Sequence, residues 1–355
     1  MNEIHLAALR PSHPLAYLAA LGGHRLIKLH ADQSAKLAWA GAGTPAALLL
    51  TTLTKDHVLD ALEEEWNAQA ARGAPYLTEC DGAKLCLPPK THLMVEKKYK
   101  RDQNGDIKKS KRGEPQLLDG LADPSKLLPE EFALLAVALT DHQGQAWLRA
   151  IGTDVKIDED TSLATVTRSR FYLLSRQQTL AQQFDSVLSP LKVDQREFPR
   201  RQSLKEAIDG WRRYEMTGGM NWDIGANQNA AETPIGDARM AVVPGAVWLA
   251  LNALPLFPVS VKRGKACTRG WQETDDGLAF VMPVWRPPLD TAAIEVMLDH
   301  PLLGDIFSKK NDKLESVLTA LGITAVYFTR VVERRVANQT ERYLDVAKPV
   351  RAMSI

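Results

Sequence analysis

The chain has 355 residues, enough for two or three domains at about 100–200 residues each and for a sizeable hydrophobic core. Its 45% hydrophobic and 25% charged residues are ordinary for a globular protein and exclude a fibre or a largely disordered chain. The 44 basic and 43 acidic residues leave a net charge of +1, so any attraction to a polyanion has to come from local clusters.

At the N-terminus, Met1 to Leu6 lacks the basic cap, long apolar core and small-residue cleavage site of a secretion signal, and a cytoplasmic location is expected. Pro14 then leads an apolar run to Leu21 that meets Gly22-Gly23. Proline at a start and glycine past an end predict a short helix stopping there. A strand is predicted over Lys36–Ala40. Thr54 is placed to cap a second helix, with Val58, Leu59 and Leu62 on its buried face and Asp56, Asp60, Glu63, Glu64 and Glu65 turned to water. Residues 90–112 carry nine lysines and arginines against three acids, net +6 over 23 residues, with a turn at Asn104-Gly105-Asp106; this predicts an exposed loop or hairpin. The following stretch, 113–160, reverses to net −7, either internal charge balance or a separate contact surface.

Pro129-Glu130-Glu131-Phe132 opens a helix with Leu134, Leu135 and Leu139 on its buried stripe, the two acids suiting the positive helix start. A helical pattern follows from Phe171 to Leu188, and Ser203 with Glu206 has capping-box spacing for a helix carrying Ile208, Trp211 and Tyr214. Ala246 to Leu251 predicts a buried helix. The apolar run continuing to Val261 is broken by Asn252, Pro255 and Pro258, short of the roughly 18 residues of a membrane span, and no membrane contact is expected. Strand patterns over 257–262 and 278–282 flank a polar connection and predict one β-hairpin with an elaborated tip. Helices are predicted over 292–298 and 312–321, and a long strand over Ile323–Val336. The fold class is mixed α+β. Residues 1–160 form an N-terminal α/β region with the basic loop, 161–220 a mainly helical middle region, and 221–355 a C-terminal α+β region with a basic hairpin at 257–282.

The chain has no phosphate-binding P-loop, dinucleotide fingerprint, HExxH zinc helix, GxSxG elbow or EF-hand spacing. Cys80, Cys86 and Cys267 are an odd set without CxxC spacing and read as reduced thiols. No catalytic residue, metal or cofactor is assigned. His5, His13, His24 and His30 crowd the N-terminus and keep one enzymatic alternative open, an RNA-processing endoribonuclease using histidine as acid and base.

Clustered basic residues give a better-defined physical argument, because phosphate neutralisation with counterion release needs local Lys and Arg rather than a large total charge. The first cluster in rank is the hairpin segment with Lys262, Arg263, Lys265 and Arg269, where Gly264 and Gly270 allow close approach to a groove. Second is the loop with Lys97, Lys98, Lys100, Arg101, Lys108, Lys109, Lys111 and Arg112, which equally suits a solubilising loop. Third are Arg200, Arg201, Arg212 and Arg213 beside Phe198, Trp211 and Tyr214, rings that either stack on unpaired bases or anchor the core. A further group, Arg168, Arg170 and Arg176 beside Phe171 and Tyr172, reads equally as helix packing with snorkelling arginines.

His13-Pro14-Leu15-Ala16-Tyr17-Leu18-Ala19-Ala20-Leu21-Gly22 resembles an N-terminal signature of proteins from type I-G (formerly I-U) CRISPR systems. Trp248-Leu249-Ala250-Leu251, Leu254-Pro255-Leu256-Phe257-Pro258, Thr268-Arg269-Gly270 and Pro283-Val284-Trp285 with Pro287 and Leu289 resemble a second block of the same family, with Met282 standing where that pattern carries an aromatic. The resemblance implies the large subunit of the crRNA-guided surveillance complex, Cascade. Such a subunit is non-catalytic, helps recognise the motif beside target DNA, supports strand separation and contacts the helicase-nuclease. Its implied partners are target DNA, crRNA, the backbone subunits and that helicase-nuclease; a protein-only adaptor is the remaining alternative. Guide pairing reads sequence in such systems, so this subunit needs mainly phosphate-positioning bases.

Overall fold

The structure is a computed structural model and describes residues 1–41, 43–72, 76–80, 83–87, 129–139, 142–155, 166–173, 180–193, 196–215, 220–225, 241–262, 265–307, 314–336 and 339–352. Strand β1 (Asn2–Leu6) leads into α1 (Pro14–His30), in which every residue from Pro14 to Ile27 is buried. A helix apolar all round belongs at the centre of a core, and α1 is surrounded by the rest of the fold. It does not stop at Gly22-Gly23. A Cβ on Gly22 would lie 1.8 Å from the Leu249 carbonyl oxygen and 3.0 Å from the Ala253 nitrogen, so the glycine marks where two backbones touch rather than where a helix ends.

Strands β2 (Lys36–Ala40) and β3 (Ala46–Thr51) join β1 in an antiparallel sheet of order β1-β3-β2. Helix α2 (Lys55–Arg72) starts at the predicted cap, with Thr54 Oγ1 accepting from the His57 N–H at 3.3 Å. One of its acids departs from expectation: Glu65 is buried, accepts a hydrogen bond from Gln69 Nε2 at 3.1 Å and lies 3.7 Å from His30 Nδ1. Strands β4 (Tyr76–Cys80) and β5 (Ala83–Leu87) form a hairpin. The basic loop 90–112 lies outside the described residues.

Helix α3 (Pro129–Ala138) begins at the predicted proline and buries Phe132, Leu135 and the following Leu139; α4 (His142–Ile151) then runs into a two-residue ladder of β6 (Gly152–Thr153) with β7 (Thr167–Arg168). Where one helix is predicted from Phe171 to Leu188, residues 171–173 are not helical and α5 spans Leu180–Leu188. Phe171 is held elsewhere: its carbonyl accepts from Trp222 Nε1 at 3.0 Å, an acceptor an α-helix would have used internally. Strands β8 (Lys192–Val193) and β9 (Arg196–Glu197) precede α6 (Arg200–Asp209), which starts behind Pro199. Ser203 is inside this helix, and its hydroxyl accepts from the Gly245 N–H at 2.9 Å instead of capping. Trp211 and Tyr214 fall beyond the helix, which ends before Gly210; Tyr214 belongs to β10 (Tyr214–Glu215), paired with β11 (Ala241–Val242). The described part of the middle region holds the helices α5 and α6 together with two-residue strands.

Helix α7 (Pro244–Leu251) is buried throughout, crosses α1 at Gly22, and is followed by a 3₁₀ turn at Leu254–Leu256. Two successive hairpins then replace the single predicted one. The first pairs β12 (Val259–Lys262) with β13 (Lys265–Thr268), and the second pairs β14 (Trp271–Thr274) with β15 (Gly277–Trp285). Gly270, at φ +79°, makes the reversal between them, and a Cβ there would meet the Phe280 ring at 3.0 Å. Helices α8 (Thr291–Leu298), α9 (Pro301–Gly304) and α10 (Leu314–Ala320) lead to β16 (Ile323–Val336), the long strand at its predicted bounds. β16 pairs antiparallel with β15, with β17 (Gln339–Leu344) and with β18 (Lys348–Ala352).

The two main sheets meet at β2. Leu37 exchanges backbone hydrogen bonds with Leu289 at 2.8 and 2.9 Å, and its carbonyl also accepts from Trp285 Nε1 at 2.8 Å. Tyr17 of α1 stacks on Trp39 and donates to the Pro283 carbonyl at 3.2 Å. One hydrophobic core thus draws on residues from Ile4 to Ala347. The architecture is α+β with antiparallel sheets. No described helix is long and apolar enough to cross a membrane.

Candidate nucleic-acid interface

Register places Lys262 directly opposite Lys265 at the end of the β12–β13 ladder. Both side chains are exposed and neither makes a hydrogen bond or ion pair among the described residues. Like charges facing each other across two strands are unfavourable, and an anion bound between them relieves the repulsion. Arg263, between them in sequence, lies outside the described residues. The fourth basic residue of this segment behaves differently. Arg269 donates to the Leu256 carbonyl at 2.8 Å, to Glu295 at 3.2 Å and to Asp299 at 2.6 Å, which makes it a strut between the hairpin base and α8.

The fold brings a second sequence cluster beside this hairpin. Arg170 N–H donates to Thr268 Oγ1 at 2.9 Å, and Ser169 N–H donates to the Ile151 carbonyl at 2.9 Å, tying the 168–172 turn to β13 and α4. Burial alternates along this turn: Ser169 and Phe171 point in, while Arg168, Arg170 and Tyr172 point out. Phe171 packs against Phe257, Trp271 and Phe280 with ring centroids 4.9–5.4 Å apart, and these rings fix the turn from below. On the outer side the Arg168 guanidinium lies 4.9 Å from the Tyr172 ring centroid, and the Arg170 side chain makes no hydrogen bond or ion pair among the described residues.

Behind the turn lies a cleft of about 590 Å³ bounded by Arg168, Arg170 and Tyr172 on one side and by Trp271, Leu278 and the β16–β17 pair on the other. Its carboxylates are already paired, Asp276 with Arg330 at 2.8 Å and Glu333 with Arg342 at 2.8 Å. Trp271 is buried and its Nε1–H has no acceptor among the described residues, a loss that ordinarily costs about 1–3 kcal/mol.

The chain matches no protein-family model and no curated protein. The third basic cluster is mostly spent on contacts within the fold. Arg200 donates to the Leu188 carbonyl at 2.6 Å and lies 5.8 Å from the Trp66 centroid, and burial lowers its pKa. Arg201 pairs with Asp60 and Asp56 of α2, and Arg213 pairs with the buried Asp223. Arg212 alone of the four is exposed without an ion pair among the described residues, its guanidinium 5.4 Å from the Tyr214 ring centroid.

Of the N-terminal histidines, His13, His24 and His30 stand at separate points along α1. His24 is buried, hydrogen-bonds the Ala35 carbonyl at 3.0 Å, and burial lowers its pKa to about 4. His13 stands 11 residues earlier, about 16 Å along α1, 3.1 Å from Asp223 and edge-on to Trp211. His30 sits beside Glu65 at the other end of α1. Among the described residues no group of three or more His, Cys, Asp or Glu side chains is arranged to hold a metal ion. Sequence reasoning missed the junction of Arg170 with the hairpin, because 98 residues separate Arg170 from Thr268 and a helical reading of Phe171 hid the turn.

Proposed function

We propose that the chain is a DNA-contacting, non-catalytic subunit of a crRNA-guided type I-G CRISPR surveillance complex. It helps engage the motif beside the target, supports the separated strands and recruits the helicase-nuclease. Two independent lines support this reading. The motif blocks at 13–22 and 248–289 resemble the family's large subunit. The observation that carries it is the pair of exposed lysines without an ion-pair partner among the described residues, Lys262 and Lys265, facing each other at the end of the β12–β13 ladder, with a second basic segment, Arg168 and Arg170, tied to the other end of the same hairpin through Thr268. Exposed cations on a hairpin position phosphates without reading bases, the task left to protein when guide pairing reads the sequence.

The test is assembly with the other type I-G subunits and crRNA, followed by binding of target DNA. The account expects the chain to enter the complex and a Lys262→Glu/Lys265→Glu variant to assemble normally but bind target DNA at least tenfold more weakly, as loss of two phosphate contacts implies. Assembly with unchanged DNA affinity would support a protein adaptor instead. Cleavage of repeat RNA by the isolated chain, abolished by His13→Ala, would support the endoribonuclease alternative.

A further inference from the structure

Past the pair of Ala279 with Arg330, the long strand β16 has a neighbour on one side only. Its register with β15 ends at that pair, whereas β16 continues from Val331 to Val336 against β17 alone among the described residues. Two hydrogen bonds fix which way this backbone faces. The Arg330 carbonyl accepts from the Asp345 N–H at 3.0 Å, on the β17 side, and Leu344, opposite Val331, turns its own N–H away from β16 to the Asn221 carbonyl at 2.9 Å. Successive residues of a strand point their N–H and C=O groups to opposite edges, so those of Val331 and Glu333 point to the open side. Both residues also line the cleft behind the 168–172 turn, which Arg168 and Arg170 bound from across it.

We infer that this open edge is a docking site for an acidic, extended peptide of a partner protein, which adds to β16 as a strand in the line of β15. The inference uses neither Lys262 nor Lys265 and stands apart from the DNA-binding reading. An unpaired edge is a template for a further strand, and main-chain bonds to Val331 and Glu333 supply the affinity. The cleft supplies the preference for acids. Its lining holds three arginines, Arg168, Arg170 and Arg342, against Asp276 and Glu333. Both carboxylates already face arginines, Asp276 facing Arg330 at 2.8 Å and Glu333 facing Arg342 at 2.8 Å. The exposed Arg170 side chain makes no hydrogen bond or ion pair among the described residues and is the cation left for an incoming carboxylate.

Side chains of an added strand alternate between the two faces, so every second residue of the peptide meets this lining. Acids at those positions suit its arginines. Trp271, 6% exposed and in the same wall, keeps an Nε1–H for which the described residues supply no acceptor. A small anion would need only the arginines; the unpaired donors and acceptors of β16 call for a chain.

The experiment titrates a fluorescein-labelled peptide of about eight residues, alternating Glu and Thr, with the full chain and reads anisotropy; the length is typical of a strand. Saturable binding is expected, and the same peptide with Lys for Glu should bind at least about tenfold more weakly. Glu333→Pro deletes one N–H on the open side and spares the bonds to β17, while Arg170→Glu reverses the free charge. Each is expected to weaken binding about tenfold, the size of one lost hydrogen bond. Glu333→Pro also releases Arg342, which would strengthen a purely electrostatic attraction, so a loss in this variant reports strand pairing. N-methylation of alternate peptide residues tests the same pairing with the protein unaltered: one set of positions should abolish binding and the other should leave it unchanged. Binding indifferent to both sets, or equal displacement by free glutamate, would overturn strand addition in favour of a small-anion site. Displacement of the peptide by duplex DNA at lower concentration than by unlabelled peptide, or no binding by the wild-type chain, would overturn it as well.

Discussion

Lys262 and Lys265 are placed where folding alone would not put them. A Lys–Glu pair across two strands is worth about 0.2–1 kcal/mol more than an uncharged pair, and a Lys–Lys pair is unfavourable. Lys265→Glu is therefore expected to raise the urea midpoint slightly while lowering DNA affinity, and a fall in both would mean that the lysines serve the fold. His24 gives a pH prediction. Burial holds its folded-state pKa near 4, below the ordinary 6.5, so the unfolded chain binds the extra proton between those values. Its contribution to stability is present above pH 6.5 and is lost as pH falls towards 4, amounting to roughly 3 kcal/mol across that window. His24→Gln keeps a donor for the Ala35 carbonyl and removes the titration, so urea unfolding at pH 7 and pH 5 should show a smaller difference in the variant. At this scale the sequence showed charges but not partners. Arg170 and Arg213 each stand near aromatic residues in the chain, and only the fold leaves the first without an ion pair among the described residues and seats the other on Asp223.

Elements were legible where local signals and tertiary demands agree. Thr54 and Pro129 mark helix starts that the structure keeps, the buried helix expected from Ala246 starts two residues earlier at Pro244, and alternation over Ile323–Val336 gives β16 at those bounds. They were illegible where a long-range contact overrides the local signal. Gly22-Gly23 looks like a helix end because glycine usually is one there, but α7 needs the missing side chain at Gly22 alone. A Cβ on Gly23 would meet only the Leu249 side chain, at an ordinary 3.6 Å. Gly22→Ala is therefore expected to destabilise by about 3 kcal/mol through forced separation of α1 and α7. Gly23→Ala should be neutral or stabilising by up to about 1 kcal/mol, the usual helix gain. Thermal melts of the two single variants check this, and equal melting temperatures would contradict the crossing geometry. Phe171 and Ser203 fail the same way, each drawn from its local role by a partner far along the chain, Trp222 and Gly245.

Across the whole molecule, segments distant in sequence meet in one core, and that convergence creates the candidate site. The near-neutral total charge conceals an uneven surface: α2 and α6 neutralise each other through Asp56, Asp60 and Arg201, while Lys262, Lys265 and Arg170 have no ion-pair partner among the described residues. Counting charges along the sequence ranks clusters by density, whereas binding depends on which cations remain unspent after folding. The most direct measurement is the salt dependence of duplex DNA binding by the wild-type chain and by Lys262→Ala/Lys265→Ala. If the two lysines sit on phosphates, the slope of log K against log salt concentration should become shallower by about 1.8 in the variant. Identical slopes and affinities would contradict the account.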